Sequence, residues 1–172
     1  MASRVGNCGR VIKGCFICAA LLLVIVLGCA APLVAGEIDF SKAVRIGSGP
    51  KTVVEFTDPD CPFCRQASHY LDNRADVTRY VFFYPLARHP KAREKVQYIL
   101  SQSDRARAYH EVMAGKMDSA TLFTTTAKGI RLQQEQFEIA TRAKVDSTPS
   151  FMIFGRVFSG FDVKKFDELL GK

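Results

Sequence analysis

Two cysteines three residues apart, Cys61 and Cys64, stand where a run of β-forming residues gives way to a helix-forming one. A disulfide between them closes too small a loop to restrict the unfolded chain much, so it adds little as a staple. Such a pair does redox chemistry or binds a metal instead. At the first turn of a helix, Cys61 faces unpaired N–H groups and the positive end of the helix dipole, and both favour a thiolate over the ordinary thiol of pKa about 8.5. That makes Cys61 the attacking nucleophile. Cys64, one turn inward and more shielded, is then the thiol that resolves a mixed disulfide. Pro62 and Phe63 carry no charge, so the helix terminus is expected to supply most of the activation.

The flanking residues supply the elements that such a site needs. Lys51-Thr52-Val53-Val54-Glu55-Phe56-Thr57 reads as a buried strand, broken by Asp58-Pro59-Asp60. A helix follows from residue 61 to about 73, with Pro62 in the first turn, where its missing N–H does no harm. A second strand is expected over 78–84, ended by Pro85. Residues 88–129 read as a helical insert, since Val96, Ile99, Leu100, Tyr109, Val112 and Met113 recur at three- and four-residue spacing. A helix over about 133–143, strands over 150–154 and 157–159 around Gly155-Arg156, and a closing helix over 162–170 complete the chain. The order β-α-β, helices, β-β-α is that of an α/β sandwich on a mixed sheet. The domain proper is expected to span 51–172, after a connector over 36–50 that ends in the turn cluster Gly47-Ser48-Gly49-Pro50.

Here a resemblance becomes specific. The run Glu55-Phe56-Thr57-Asp58-Pro59-Asp60-Cys61-Pro62-Phe63-Cys64 resembles the active-site strand and turn of the bacterial periplasmic Dsb proteins, above all the catalytic domain of the DsbC/DsbG disulfide isomerases. Thr148-Pro149, followed by Ser150-Phe151-Met152-Ile153-Phe154, resembles the element that carries a cis proline facing the redox pair in thioredoxin-like proteins. His110-Glu111-Val112-Met113-Ala114-Gly115-Lys116 is similar to part of the isomerases' helical insert. The similarity covers residues 38 to 172. It implies a thioredoxin-like fold and a thiol:disulfide oxidoreductase that needs no cofactor. Its substrates would be cysteine-containing exported proteins, and its redox partner a membrane or periplasmic protein. Thr148 and Pro149 would bind substrate, a cis bond there offering backbone groups to an extended segment by strand addition. Glu55 occupies the place of a buried acid in thioredoxins and DsbA-type proteins, and would move a proton to or from Cys64. The plainer alternative is a strand-end glutamate in water. The isomerases also carry a separate N-terminal dimerisation domain, and residues 36–50 are too few to form one. A monomer, weaker in isomerisation than a two-site dimer, is therefore expected.

The N-terminal residues place this chemistry in a compartment. Arg4, Arg10 and Lys13 precede an uncharged apolar run over 14–36, the pattern of an export signal. The run also reaches the lower length for a membrane-spanning helix. Val26-Leu27-Gly28-Cys29 resembles a lipoprotein signal in which Cys29 is lipidated. Residues 1–35 are therefore read as a signal or anchor segment and the location as the periplasm, with cleavage, retention and lipidation all open. Cys8, Cys15, Cys18 and Cys29 fall in or before that run, leaving Cys61 and Cys64 as the cysteines of the exported part. Cys15 and Cys18 share the redox spacing but lack a preceding strand.

The net charge is +7, of which three charges belong to the leader, and no aromatic-interleaved basic stripe follows. Nucleic acid is not expected as a partner. A competing reading is a periplasmic carrier of a soft metal such as Cu(I), held by the two thiolates and a carboxylate. Another is an idle structural component of an envelope machine, against which the intact redox pair argues. His69, His89 and His110 read as surface or packing residues, and Asp58 and Asp60 as the helix cap and its turn.

Overall fold

Side-chain alternation along one strand decides how the sheet is covered. In the computed structural model, which describes residues 38–172, the central strand β2 (Lys51–Thr57) is buried from Val53 onward. Its period of two sends Val53, Glu55 and Thr57 to one face and Val54 and Phe56 to the other. Residues 1–37, which include the stretch read in the sequence as a signal or anchor segment and Cys8, Cys15, Cys18 and Cys29, lie outside the described residues.

Strands β1 (Val44–Ile46), β3 (Val77–Phe83), β4 (Ser150–Ile153) and β5 (Arg156–Ser159) join β2 in a five-stranded sheet of order β1-β3-β2-β4-β5. Strands β2 and β3 run parallel, and the other pairs are antiparallel. The parallel pair needs a crossover, which helix α1 (Pro62–Asp72) supplies. Its buried residues, Cys64, Ala67, Ser68 and Leu71, form a stripe at three- and four-residue spacing. Cys64 is thus the first member of the stripe that seats α1 on the sheet.

Helix α5 (Val163–Leu170) packs Phe166 and Leu170 into the same cluster as Val53, Ala67, Leu71, Phe151 and Ile153. Helices α2 (Ala92–Ser101) and α3 (Arg105–Met113) bring Val96, Ile99, Leu100, Tyr109 and Val112 against Val81 and Phe83, and both cysteines belong to that cluster. On the opposite face, α4 (Ala127–Arg142) packs Ile139 and Ala140 against Val54, Phe56 and Phe82. The result is a thioredoxin-like α/β fold.

Two boundaries differ from those read in the sequence. Residues 36–50 are more than a connector: after a 3-10 turn at Phe40–Lys42, β1 pairs with β3, Val44 opposite Val81. Three residues are too few to show a period, so the sequence alone could not mark this strand. Helix α4 starts at Ala127, earlier than position 133, because the Thr126 hydroxyl accepts a hydrogen bond from Gly129 N at 3.0 Å and caps it there. The last residues assigned to the helical insert are its first turn.

The turn between β1 and β2 lies flush against the start of β3. A Cβ on Gly49 would stand 2.0 Å from the backbone carbonyl carbon of Asp76 and 2.2 Å from Val77 N. Neither atom belongs to a side chain that can swing away. Gly49→Ala is expected to lower stability by about 1–3 kcal/mol, read as an earlier midpoint in urea unfolding. An unchanged midpoint would mean that the turn has room to spare.

Candidate active site

Three of the helices begin with an oxygen cap: Asp104 before α3, Thr126 before α4 and Asp162 before α5 each accept a backbone N–H of the first turn. Helix α1 begins with a sulfur. Cys61 is its N-cap residue, in extended conformation (φ −84°, ψ 121°), followed by Pro62, and its side chain makes no capping hydrogen bond. The orphan N–H groups of the first turn are therefore left for the thiolate.

Both cysteines are reduced and buried, Cys61 at 2% and Cys64 at 0% exposure. A hydrogen bond from the Cys64 thiol is the largest influence on Cys61. Burial opposes it, and the N–H groups of Cys64 and Phe63 and the side chain of Thr148 reinforce it, so that the pKa falls from 9.0 to about 6. The sequence pointed to the helix terminus as the main source of this activation, whereas the largest single influence is the partner thiol. The same arrangement acts oppositely on Cys64, whose pKa is pushed far up by burial and by its bond to Cys61.

Thr148 and Pro149, distant in sequence, lie against this helix start. The peptide between them is cis. Cys61 Sγ donates to Thr148 O at 3.4 Å, and Gly160 N donates to Pro149 O at 2.8 Å. On the other side of the pair, Asp58 N donates to Cys64 Sγ at 3.4 Å.

Glu55 is fully buried beneath α1, not a strand-end residue in water. Tyr109 OH donates to its Oε1 at 3.1 Å, and Arg79 Nη1 lies 3.4 Å from Oε2. Arg79, itself 2% exposed, also pairs with Asp72 on α1, which meets His110 Nδ1 at 3.3 Å nearer the surface. Burial raises the pKa of Glu55, against the opposing pull of Arg79. Thr57, two residues along the same strand face, has a buried hydroxyl with no close hydrogen-bond partner, yet it lowers the pKa of both Glu55 and Cys64.

The thioredoxin-like domain family profile matches residues 41–164. The chain belongs to this family. A thioredoxin-like relative, the disulfide interchange protein of Neisseria gonorrhoeae, superposes with a TM-score of 0.67 at 30% identity, covering 77% of this chain and 95% of that one. The catalytic domain of Proteus mirabilis ScsC shares the fold at 19% identity and a TM-score of 0.63, over 79% of this chain and 90% of that one. Among curated proteins, the probable thiol:disulfide interchange protein DsbC of Bordetella pertussis is 33% identical over 79 residues, 45% of this chain and 28% of that protein. The chain thus matches under a third of that relative's length.

Within this thioredoxin-like site, the sequence reading missed the basic and phenolic partners. Arg79 lay in a strand and Tyr109 at a core position of the insert, and nothing in their spacing tied them to Glu55. His89, read as a surface or packing residue, sets Nδ1 2.8 Å from Asp58 Oδ2. Asp58 does not cap α1: its Oδ1 accepts from Asp60 N at 2.8 Å and its Oδ2 from Leu86 N at 2.7 Å. It thereby ties the active-site turn to the segment after β3. Among the described residues, no three His, Cys, Asp or Glu side chains are grouped to hold a metal ion.

The opposite shifts of the two thiols give a direct expectation. Cys61, with a lowered pKa, is thiolate above about pH 6, whereas Cys64 stays protonated well past neutrality. Alkylation of the reduced protein, followed for each cysteine by mass spectrometry, should therefore modify Cys61 with a rate midpoint near pH 6 and leave Cys64 intact at pH 8. Preferential labelling of Cys64 would reverse the assignment.

Proposed function

We propose that the chain is a thiol:disulfide oxidoreductase acting on cysteine-containing exported proteins in the periplasm, with Cys61 as nucleophile and Cys64 as resolving thiol. The observation that carries this reading is the asymmetry of the pair: a thiol of lowered pKa at a helix N-terminus, backed by a buried thiol of raised pKa one turn inward.

In the reducing direction, the Cys61 thiolate attacks one sulfur of a substrate disulfide, forming the mixed disulfide and releasing the other sulfur as a thiolate. Cys64 then gives up its proton and attacks Cys61 Sγ. The second substrate sulfur leaves as a thiolate and takes up a proton, and the Cys61–Cys64 disulfide remains. The oxidising direction is the reverse. Cys64 needs a base because its own environment opposes ionisation, and the buried Glu55, with a raised pKa, suits that task. Thr148 and Pro149 are the substrate-binding residues of this reading. Pro149 O is already taken by Gly160 N, so an extended substrate would pair on the Thr148 side, where its backbone displaces the Cys61 thiol from Thr148 O.

The periplasmic location rests on the N-terminal sequence pattern and on the likeness to DsbC. Among the described residues no helix is long and apolar enough to cross a membrane. The redox partner is then a protein on the same side of the membrane or embedded in it.

Incubation with a disulfide-containing protein substrate tests the roles. Cys61→Ser should abolish turnover, while Cys64→Ser should accumulate a mixed disulfide mapped to Cys61. A covalent adduct on the Cys61→Ser variant would reject the scheme. Glu55→Gln should slow resolution of the mixed disulfide by about 10²-fold while leaving its formation unchanged, in rapid-quench experiments. A resolution rate equal to the wild type's would remove Glu55 from proton transfer.

A further inference from the structure

Four charged side chains meet beside the redox pair without entering the scheme above. Lys95 on α2 is 2% exposed, and its Nζ lies 2.5 Å from Asp60 Oδ1 and 2.6 Å from Asp118 Oδ1. Arg65 on α1 holds Asp118 in a two-pronged contact, at 2.7 and 2.6 Å, and donates Nε to Pro59 O at 2.7 Å. Arg65 Nη2 is also 3.6 Å from Asp60. Three segments are thereby fastened together: the turn that precedes Cys61, helix α2, and the chain after α3. Gly115 brings that last segment round with φ +79°, and a Cβ there would stand 3.0 Å from Asp118 Oδ2.

A lysine ammonium is costly to bury unless it is paired, and an exposed lysine would serve for solubility alone. Its position next to Asp60 points to a local task. Asp58 and Asp60 put two carboxylates within three residues of the nucleophile, and a carboxylate beside a thiol disfavours the thiolate. Asp58 is met by two backbone N–H groups and His89. Asp60 is met by Lys95 and, more loosely, by Arg65. The charged and titratable groups about Cys61 are thus Cys64 on its own helix, these two aspartates, and the basic groups His89, Lys95 and Arg65 that face them. Asp118 sits behind Lys95 and holds it in place.

We propose that Lys95 is a positioning residue for the redox pair: by pairing with Asp60 it cancels the carboxylate that directly precedes Cys61 and keeps that thiol reactive at neutral pH. This inference rests on Cys61 being the nucleophile. It gives the helical segment after β3 a role in tuning the reactive thiol.

The test is the pH profile of Cys61 alkylation in the full reduced chain, read by mass spectrometry of the Cys61 peptide. Lys95→Met should move the rate midpoint upward by about one pH unit, Lys95→Arg should stay close to the wild type, and the double variant Asp60→Asn with Lys95→Met should return toward it. A Lys95→Met midpoint equal to the wild type overturns the proposal. So does a double variant as displaced as Lys95→Met, which would make the effect structural rather than routed through Asp60. Should Lys95→Met fail to fold, Asp60→Asn alone decides: its midpoint is expected below the wild type, and an unchanged one counts against Lys95. A wild-type midpoint near pH 9 would instead reject Cys61 as the activated nucleophile, an outcome distinct from a low midpoint that Lys95→Met leaves in place.

Discussion

A sulfur stands where the other capped helices place an oxygen, and the site is built around that substitution. An aspartate or threonine cap satisfies the first-turn N–H groups permanently and stabilises its helix. A thiol satisfies them fully only when ionised, so the helix start prefers the charged form of Cys61 and makes it available for attack. Cys64 reinforces the preference from within the same turn by donating its own hydrogen bond. It can do so because it opens the buried stripe of α1 and is held against the sheet by the packing that fixes Ala67 and Leu71. Reactivity at Cys61 and restraint at Cys64 follow from one helix register.

The second constraint is the cost of the polar groups beneath that helix. Glu55, Arg79 and Tyr109 are almost wholly removed from water, and such groups persist in a core only when they satisfy one another. They do so here across three elements, β2, β3 and α3, and Asp72 on α1 extends the set toward the surface. An apolar core of the same volume would be at least as stable. In the proposed scheme this buried set gives Cys64 what its chemistry needs: a group able to receive a proton where water is excluded.

Much of this could be read from residue order. The β-branched run before Asp58, the helix stripe beginning at Cys64, and the match of Thr148-Pro149 to a known element placed the redox pair, the strand carrying Glu55 and the opposing loop. What escaped was long-range pairing. Strand β1 is too short to carry a period, and its partner Val81 lies far along the chain. Arg79 looked like any basic residue in a strand, and Lys95 like one more charge in a mixed run, since a sequence shows charge but not whether its carrier is buried. His89 was set aside because nothing near it suggested Asp58 as a neighbour. The carboxylates at Asp58 and Asp60 were visible, but the groups that neutralise them arrive from segments whose placement only the fold determines.

The most direct measurement is the redox equilibrium of the Cys61–Cys64 pair against glutathione, with the mixed disulfide mapped. A stabilised thiolate in the reduced form makes the disulfide easier to reduce, so the potential should fall within about −270 to −120 mV, the span of exchange-active thioredoxin-fold proteins, with glutathione captured on Cys61. A potential below about −300 mV, as for structural disulfides, or glutathione captured on Cys64, would contradict the account.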